Sequence, residues 1–185
     1  MIIGLTGKNG SGKGEAAAFL RENGFEYTSL SDALRKELNE KGIAITRENL
    51  ISVGQQLRSK YGAQVLARRV LEKLVPSKNY VVDSFRHPNE VLEFRKNKDF
   101  YLWRIEADDK IRFERCARRG REEEPINFER FIEVEKLEFN KGELNKQDLI
   151  QTLEMADVII NNNSTIEELH EKAKKELEKK DIKKA

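Results

Sequence analysis
Apolar residues along this 185-residue chain fall into short runs, with longer mixed stretches between them. Four or five runs read as strands: Met1–Thr6, Phe25–Ser29, Asn79–Asp83, Phe100–Glu106 and Asp157–Asn161. Tyr80-Val81-Val82 and Val158-Ile159-Ile160 are continuous rather than alternating, as in parallel strands covered on both faces. Between the runs, apolar positions take helical spacing. A first helix starts near Gly12, turns Ala16, Ala17, Phe19 and Leu20 inward, and closes at Asn23-Gly24. A second opens at Ser31, a good N-cap, and buries Leu34 and Leu38. Thr46 opens a third through Leu50, Val53 and Leu57; Tyr61-Gly62 breaks it, and Val65 to Leu74 continues helically. Pro88 suits the first turn of a helix carrying Val91, Leu92 and Phe94. The last helix pairs Ser164 with Glu167 as a capping box and has the stripe Ile166, Leu169, Ala173 and Leu177. Lys179 to Ala185 reads as a solvated tail. Strands alternating with helices predict an α/β fold with a parallel sheet covered on both faces.

Composition narrows the function classes. The length suits one domain, and neither a repeat nor a dividing linker is visible. Basic residues number 35 against 33 acidic, so the net charge is only +2 and the broad basic footprint of a nucleic-acid binder is missing. Cys116 stands alone, which excludes an internal disulfide and Cys-rich zinc patterns. His87 and His170 are too few for a multi-histidine metal centre. No run reaches membrane-span length and the start lacks a signal-peptide layout, so the expected location is cytoplasmic.

The chemistry begins directly after the first run. Gly7-Lys8-Asn9-Gly10-Ser11-Gly12-Lys13 has the G-x-x-x-x-G-K spacing of a phosphate-binding loop, placed between a strand and a helix. Glycines let the backbone wrap an anion, successive N–H groups and a helix N-terminus point at it, and Lys13 adds a positive charge. Gly14 and Glu15 follow, where most such loops have a Ser or Thr hydroxyl for Mg²⁺.

Three further segments fall at strand ends, where open α/β sheets bind ligands. In Ser29-Leu30-Ser31-Asp32-Ala33-Leu34-Arg35, Arg35 lies one turn into a helix and can reach back to an anion. Val81-Val82-Asp83 is an apolar strand ending in a carboxylate that can hold Mg²⁺ directly or through water, and Arg86 follows three residues on. Arg112, Arg115 and Arg119 share a helical face, with Arg118, Gly120, Arg121 and Pro125 beside them. A single-sign stripe of this kind suits an arginine-bearing lid over a transferring phosphoryl group.

In this order the four segments resemble the P-loop nucleoside monophosphate kinases and their relatives, over Met1 to about Leu177. Gly10-Ser11-Gly12-Lys13-Gly14 is similar to the G-x-G-K-G loop of adenylate kinases, which have glycine after the lysine. Ser29–Arg35 resembles their S-T-G-D-x-L-R segment, and Asp83-Ser84-Phe85-Arg86 their D-G-F-P-R segment with one residue fewer. Ala156 to Asn162 and the stretch Thr46 to Leu74 are similar to parts of dephospho-CoA kinases, whose D-x-P-L-L-x-E motif is absent after Asp83. Glu15 departs from the adenylate kinase threonine.

The resemblance implies a three-layer P-loop fold with a five-stranded parallel sheet, a helical acceptor-binding insert at about 31–74 and a lid at about 118–140. It also implies ATP and Mg²⁺ as cofactors and a small phosphorylated acceptor as partner. Gly7, Lys8, Asn9, Gly10, Ser11, Gly12, Lys13, Gly14 and Glu15 would then hold the donor, with Arg115 from the lid. Lys13, Arg86, Arg119 and Asp83 would carry catalysis, Asp83 ordering Mg²⁺ through water. Asp32, Arg35, Arg58 and Arg86 would hold the acceptor, with Gln55, Gln56 and Tyr61 near Arg58. A hydroxyl acceptor, with Asp32 as base, stays open beside a monophosphate. So do a nucleotide-binding switch and an RNA-associated ATPase using the arginine stripe.

Overall fold
The computed structural model describes residues 1–120, 127–136, 139 and 146–182. In chain order the elements are β1 (Ile2–Thr6), α1 (Lys13–Glu22), β2 (Phe25–Ser29), α2 (Asp32–Glu40), α3 (Arg47–Tyr61), α4 (Val65–Leu71) and β3 (Asn79–Asp83). Then follow α5 (Pro88–Phe94), β4 (Phe100–Glu106), α6 (Asp109–Arg119), α7 (Phe128–Lys136), α8 (Leu149–Glu154), β5 (Val158–Asn161) and α9 (Ile166–Ile182). The five strands form one parallel sheet in the order β2-β3-β1-β4-β5.

The continuous apolar runs have a direct cause. Successive side chains of a strand point to opposite faces. Tyr80 and Val82 of β3 enter one core with Leu34, Leu57, Val91 and Phe94, while Val81 enters the other with Ala16, Leu20, Leu169 and Ala173. Helices α1 and α9 therefore cover one face and α2 to α5 the other, giving three layers.

Some helix details differ from expectation. Leu92 is exposed, because Val91 and Phe94 supply the inward ridge of α5 and Leu92 falls off it. Ile166 is exposed as well, so the buried stripe of α9 begins at Leu169. The cap of α9 is Thr165 rather than Ser164: Thr165 Oγ1 accepts the Glu168 N–H at 3.3 Å. Ser31 occupies the cap position of α2, but its hydroxyl meets Ser29 Oγ at 2.9 Å instead of closing the helix turn. Helix α4 ends at Leu71, three residues before the expected end.

The topology fixes where a ligand can sit. The connection after β1 runs toward β2, while the connection after β3 runs toward β4, on the other side of β1. Adjacent strands β1 and β3 thus form a switch point, and a crevice opens beyond their carboxyl ends. Gly7–Lys13 follows β1 and Asp83–Arg86 follows β3, so the fold delivers both segments to the same crevice.

Candidate active site
The loop after β1 is shaped by close approaches. Gly10 and Gly12 have φ of +75° and +101°. A Cβ on Gly10 would strike the Arg112 carbonyl, and one on Gly12 would strike the Asn162 amide. Asn162 Nδ2 donates to the Ser11 carbonyl at 2.8 Å, which ties the turn after β5 to the loop. Gly12 caps α1 without a side chain, so the first N–H groups of the helix face the crevice. Lys13 Nζ donates to the Gly7 and Lys8 carbonyls at 2.8 and 3.0 Å. Around Gly14 a Cβ would meet nothing within 4 Å among the described residues, so size does not dictate the missing hydroxyl. Glu15 is exposed and lines the same cleft.

Asp83 ends β3 and lines that cleft too. The next residue, Ser84, is the one non-glycine at positive φ among the described residues, at +73°. Such a conformation costs energy and persists where the surroundings impose it. Here they do: Phe85 is fully buried against the Phe94 and Phe100 rings. Its N–H donates to Leu5 O at 3.3 Å, and its carbonyl accepts from Thr6 Oγ1 at 3.1 Å. Beyond it, Glu90 is completely buried, and its Oε2 accepts the N–H groups of Arg86 and His87 at 2.9 and 3.1 Å. His87 Nδ1 caps α5 by accepting from Asn89 N, which gives this histidine a structural place in the loop.

Arg35, Arg47 and Arg86 line the same cleft with Ser31 and Asp32. Asp32 Oδ2 accepts the Ser29 N–H at 3.2 Å. Hydroxyls of Ser31, Ser29 and Ser84 follow one another at 2.9 and 3.2 Å, joining the ends of β2 and β3. Arg58 does not line the main cleft. It is 1% exposed, its Nη2 bonds Glu90 Oε1 at 2.7 Å, and it lines a small chamber beside the cleft. Gln56 and Tyr61 are exposed and, with Gln55, lie outside both cavities; the Tyr61 ring instead carries Lys60 and Arg69 at 5.0 and 5.5 Å.

The arginine stripe divides by partner. Arg115, Arg118 and Arg119 line the cleft. Arg115 donates to the Asn162 carbonyl at 3.0 Å, and Arg119 reaches Asn9 Oδ1 at 3.4 Å. Arg112, expected on the same face, is fully buried and held by Glu135, Asp109 and the Asn9 carbonyl. Hydrogen bonding from Arg112, with the Lys8 charge nearby, holds the Asp109 carboxyl below the usual carboxylate range. Lys8 belongs to the loop by its backbone, but its side chain turns to Glu135 at 3.2 Å and Asp109 at 3.6 Å, away from the cleft. Arg121 and residues 122–126 lie outside the described residues, as do 137, 138 and 140–145.

Three contributors escaped the sequence reading, Arg47 at the start of α3 among them. Tyr27, from the middle of β2, lines the cleft; partial burial first, then the carboxylates of Asp83 and Asp32, push its phenol up to about 12. Its position two residues before Ser29, on the same side of the strand, was the available signal. Asn162 to Ile166 form another wall of the cleft, and Asn162 sits just past the apolar run of β5. The whole cleft measures about 830 Å³, the size of a small-molecule site. Among the described residues, no group of three His, Cys, Asp or Glu side chains could hold a metal ion by itself.

A glycine loop over a helix N-terminus, at the switch point of a five-stranded parallel sheet, defines a P-loop protein of kinase-like fold. The sequence profile of the AAA domain family matches residues 3–140, and UPF0200 proteins match almost the whole chain. UPF0200 protein PH1008 of Pyrococcus horikoshii is 36% identical over 186 residues, covering 97% of each chain. A UPF0200 protein of Sulfurisphaera tokodaii is 32% identical and covers 96% of each. The chain belongs to the AAA domain family and to the UPF0200 proteins.

Solved structures agree on the fold. TT1252 from Thermus thermophilus superposes with a TM-score of 0.60 at 19% identity, covering 97% of each chain. Shikimate kinase from Aquifex aeolicus gives 0.58 at 15% identity, covering 98% of this chain and 99% of its own. A gluconokinase from Sinorhizobium meliloti gives 0.56 at 15%, covering 92% and 87%. No helix among the described residues is long and apolar enough to cross a membrane.

Proposed function
We propose that the protein transfers a phosphoryl group from ATP to a small phosphorylated acceptor, a nucleoside or deoxynucleoside monophosphate. One observation carries this reading: the phosphate loop and Asp83 share a single cleft with a second cationic set, Arg35, Arg47 and Arg86, which also lines a small chamber that no loop residue reaches. A nucleotide switch or simple ATPase needs the first set; a second anion explains the other.

In this reading the backbone of Gly7 to Lys13 and the open end of α1 bind the donor's phosphates, and Lys13 neutralises charge on them. Mg²⁺, bound to the nucleotide, would supply charge neutralisation between its phosphates. Asp83 is the carboxylate that would order such an ion, through water. Arg35 and Arg86 hold the acceptor's phosphate, and Arg115, Arg118 and Arg119 wall the donor side. An acceptor phosphate is already anionic, so positioning and electrostatics suffice without a general base. The two walls, α2–α4 and the arginine-bearing α6–α7 side, are the parts expected to close over the substrates.

A second reading, a hydroxyl acceptor such as dephospho-CoA, is favoured by Asp32, a carboxylate lining the cleft beside Arg35. One screen tests both: ADP production from ATP·Mg²⁺ with each ribo- and deoxyribonucleoside monophosphate and with dephospho-CoA, run beside Lys13→Ala. Acceptor-dependent turnover that Lys13→Ala abolishes supports the proposal. ADP production indifferent to every acceptor would leave a hydrolase or switch.

A further inference from the structure
Three arginines stand on the acceptor side, and their backbones are held in different ways. Arg35 and Arg47 belong to α2 and α3, where helical hydrogen bonds fix the chain. Arg86 stands in the short connection between β3 and α5, and it is the most buried of the three, at 8% exposure. Local preference does not shape that connection, since Ser84 within it is bent to φ +73°. Anchors from outside set its path. Glu90, in the first turn of α5, accepts the Arg86 N–H at 2.9 Å and the His87 N–H at 3.1 Å on Oε2. The Asp148 N–H donates to the Arg86 carbonyl at 3.0 Å. Arg86 is thus gripped by its N–H and by its C=O.

Capping α5 accounts for only part of what Glu90 does. A capping box uses a glutamate of the first turn for one bond, to the N–H of the cap residue, here His87. The bond to Arg86 reaches one residue further back, and Oε1 takes Arg58 Nη2 of α3 at 2.7 Å. Three donors, from the connection, the cap and α3, therefore meet on one completely buried side chain. A carboxylate suits that count, because each of its oxygens accepts. A glutamine has one accepting oxygen and would turn N–H donors toward the other side. Glu90 lines neither the cleft nor the small chamber, so whatever it contributes passes through the residues it holds.

We infer that Glu90 is a positioning residue for phosphoryl transfer: it fixes the backbone of Arg86 and so aims that guanidinium at the acceptor, while Arg58 balances its charge. This rests on the phosphoryl-transfer reading and adds to it a residue that touches neither substrate. A misplacement of about 1 Å can cost about 100-fold in rate. An arginine side chain is long and takes up part of such an error by turning its own bonds, so the expected loss is about tenfold and falls on the acceptor alone.

The test is steady-state kinetics on the full chain, with ATP and the nucleoside monophosphate turned over fastest both varied. It is run in the Arg58→Met background, where a neutral residue at position 90 leaves no buried charge unpaired. There Glu90→Gln keeps an acceptor for the Arg86 and His87 N–H groups, and Glu90→Leu removes it at similar volume. The acceptor KM should be about tenfold higher in Glu90→Leu/Arg58→Met than in Glu90→Gln/Arg58→Met, with the KM for ATP within about twofold. Equal acceptor KM in the two double variants overturns the proposal and leaves Glu90 as a charge partner of Arg58. So does a rise of both KM values together, the mark of a general loss of structure. Should the double variants fail to fold, Glu90→Asp keeps the charge and shortens the reach by one methylene. It should raise the acceptor KM and spare that for ATP; an unaltered acceptor KM overturns the proposal. If the parent protein turns over no nucleoside monophosphate, the phosphoryl-transfer reading falls and takes this role with it. If the parent does so and no Glu90 variant shifts the acceptor KM, this role alone falls.

Discussion
Arg112 grips Glu135 with both arms of its guanidinium, at 2.5 and 3.0 Å, and with the same group donates to the Asn9 carbonyl at 2.9 Å. The phosphate loop, α6 and α7 are thereby joined through one fully buried cation. An arginine that the sequence pattern offers to a ligand is instead the bolt between the loop and the wall of the cleft.

Arg112→Met removes that bolt and leaves the Glu135 carboxylate buried, with Lys8 as its remaining ionic neighbour among the described residues, at 3.2 Å. Breaking a buried pair from one side costs about 3–5 kcal/mol, and Lys8 should hold the loss near the lower end. Chemical denaturation should show a midpoint shift of that size with an unchanged slope. Exposed arginine substitutions such as Arg118→Met should stay within about 0.5 kcal/mol. Equal effects from the two would mean that Arg112 is not the joint.

Gly12 and Asn162 should behave as a coupled pair. Gly12→Ala places a methyl group against the Asn162 amide and forces an L-residue toward φ +101°. Nucleotide binding, read by calorimetry with ADP, should be lost or weakened at least about tenfold, while the melting temperature falls by only a few degrees. Asn162→Ala takes the 2.8 Å bond from the Ser11 carbonyl and should cost about 1–2 kcal/mol of stability and loosen ADP. Additive effects in the double variant would contradict the pairing.

How much of this was legible in the chain follows from the range of each interaction. The five strands and α1 were readable because burial on both faces leaves continuous apolar runs, and the loop because glycines answer to local backbone geometry. Arg112 and Arg115 share a helix face in the sequence, yet one meets Glu135, 23 residues on, and the other Asn162, 47 residues on. Helical spacing carries no information about partners at that distance. Arg58 was expected to hold the acceptor, but its buried pairing with Glu90 depends on how α3 crosses α5. Ser84 shows the converse: a non-glycine at φ +73°, where local preference argues against the conformation and the packing of Phe85 imposes it.

Arg35 and Arg119 should separate in kinetics under the phosphoryl-transfer reading. Arg35 lines the acceptor side together with Arg47, so Arg35→Ala should raise KM for the acceptor by about tenfold or more and leave KM for ATP within about twofold. Arg119 lies by the phosphate loop, within 3.4 Å of Asn9 Oδ1, so Arg119→Ala should lower kcat more than either KM. Steady-state kinetics with both substrates varied would show this; a matched loss for ATP and acceptor in Arg35→Ala would place that arginine elsewhere.

Tyr27 offers a test of the cleft's electrostatics that needs neither substrate nor activity. Its phenol is pushed up to about 12, by partial burial first and then by Asp83 and Asp32. The sign follows from which state is disfavoured: a phenolate here is poorly solvated and faces two carboxylates, so the folded protein holds the proton longer than an unfolded chain, whose tyrosine releases it near pH 10. Any stability this group contributes is present below pH 10 and lost as pH climbs from there toward 12. The phenolate absorbance of the protein minus that of Tyr27→Phe should isolate one group with a midpoint well above 10. Asp83→Asn should move that midpoint down, because it removes the larger of the two carboxylate contributions. A difference titration centred at 10 in the parent protein, or one indifferent to Asp83→Asn, would mean that Tyr27 does not face the carboxylate at the end of β3.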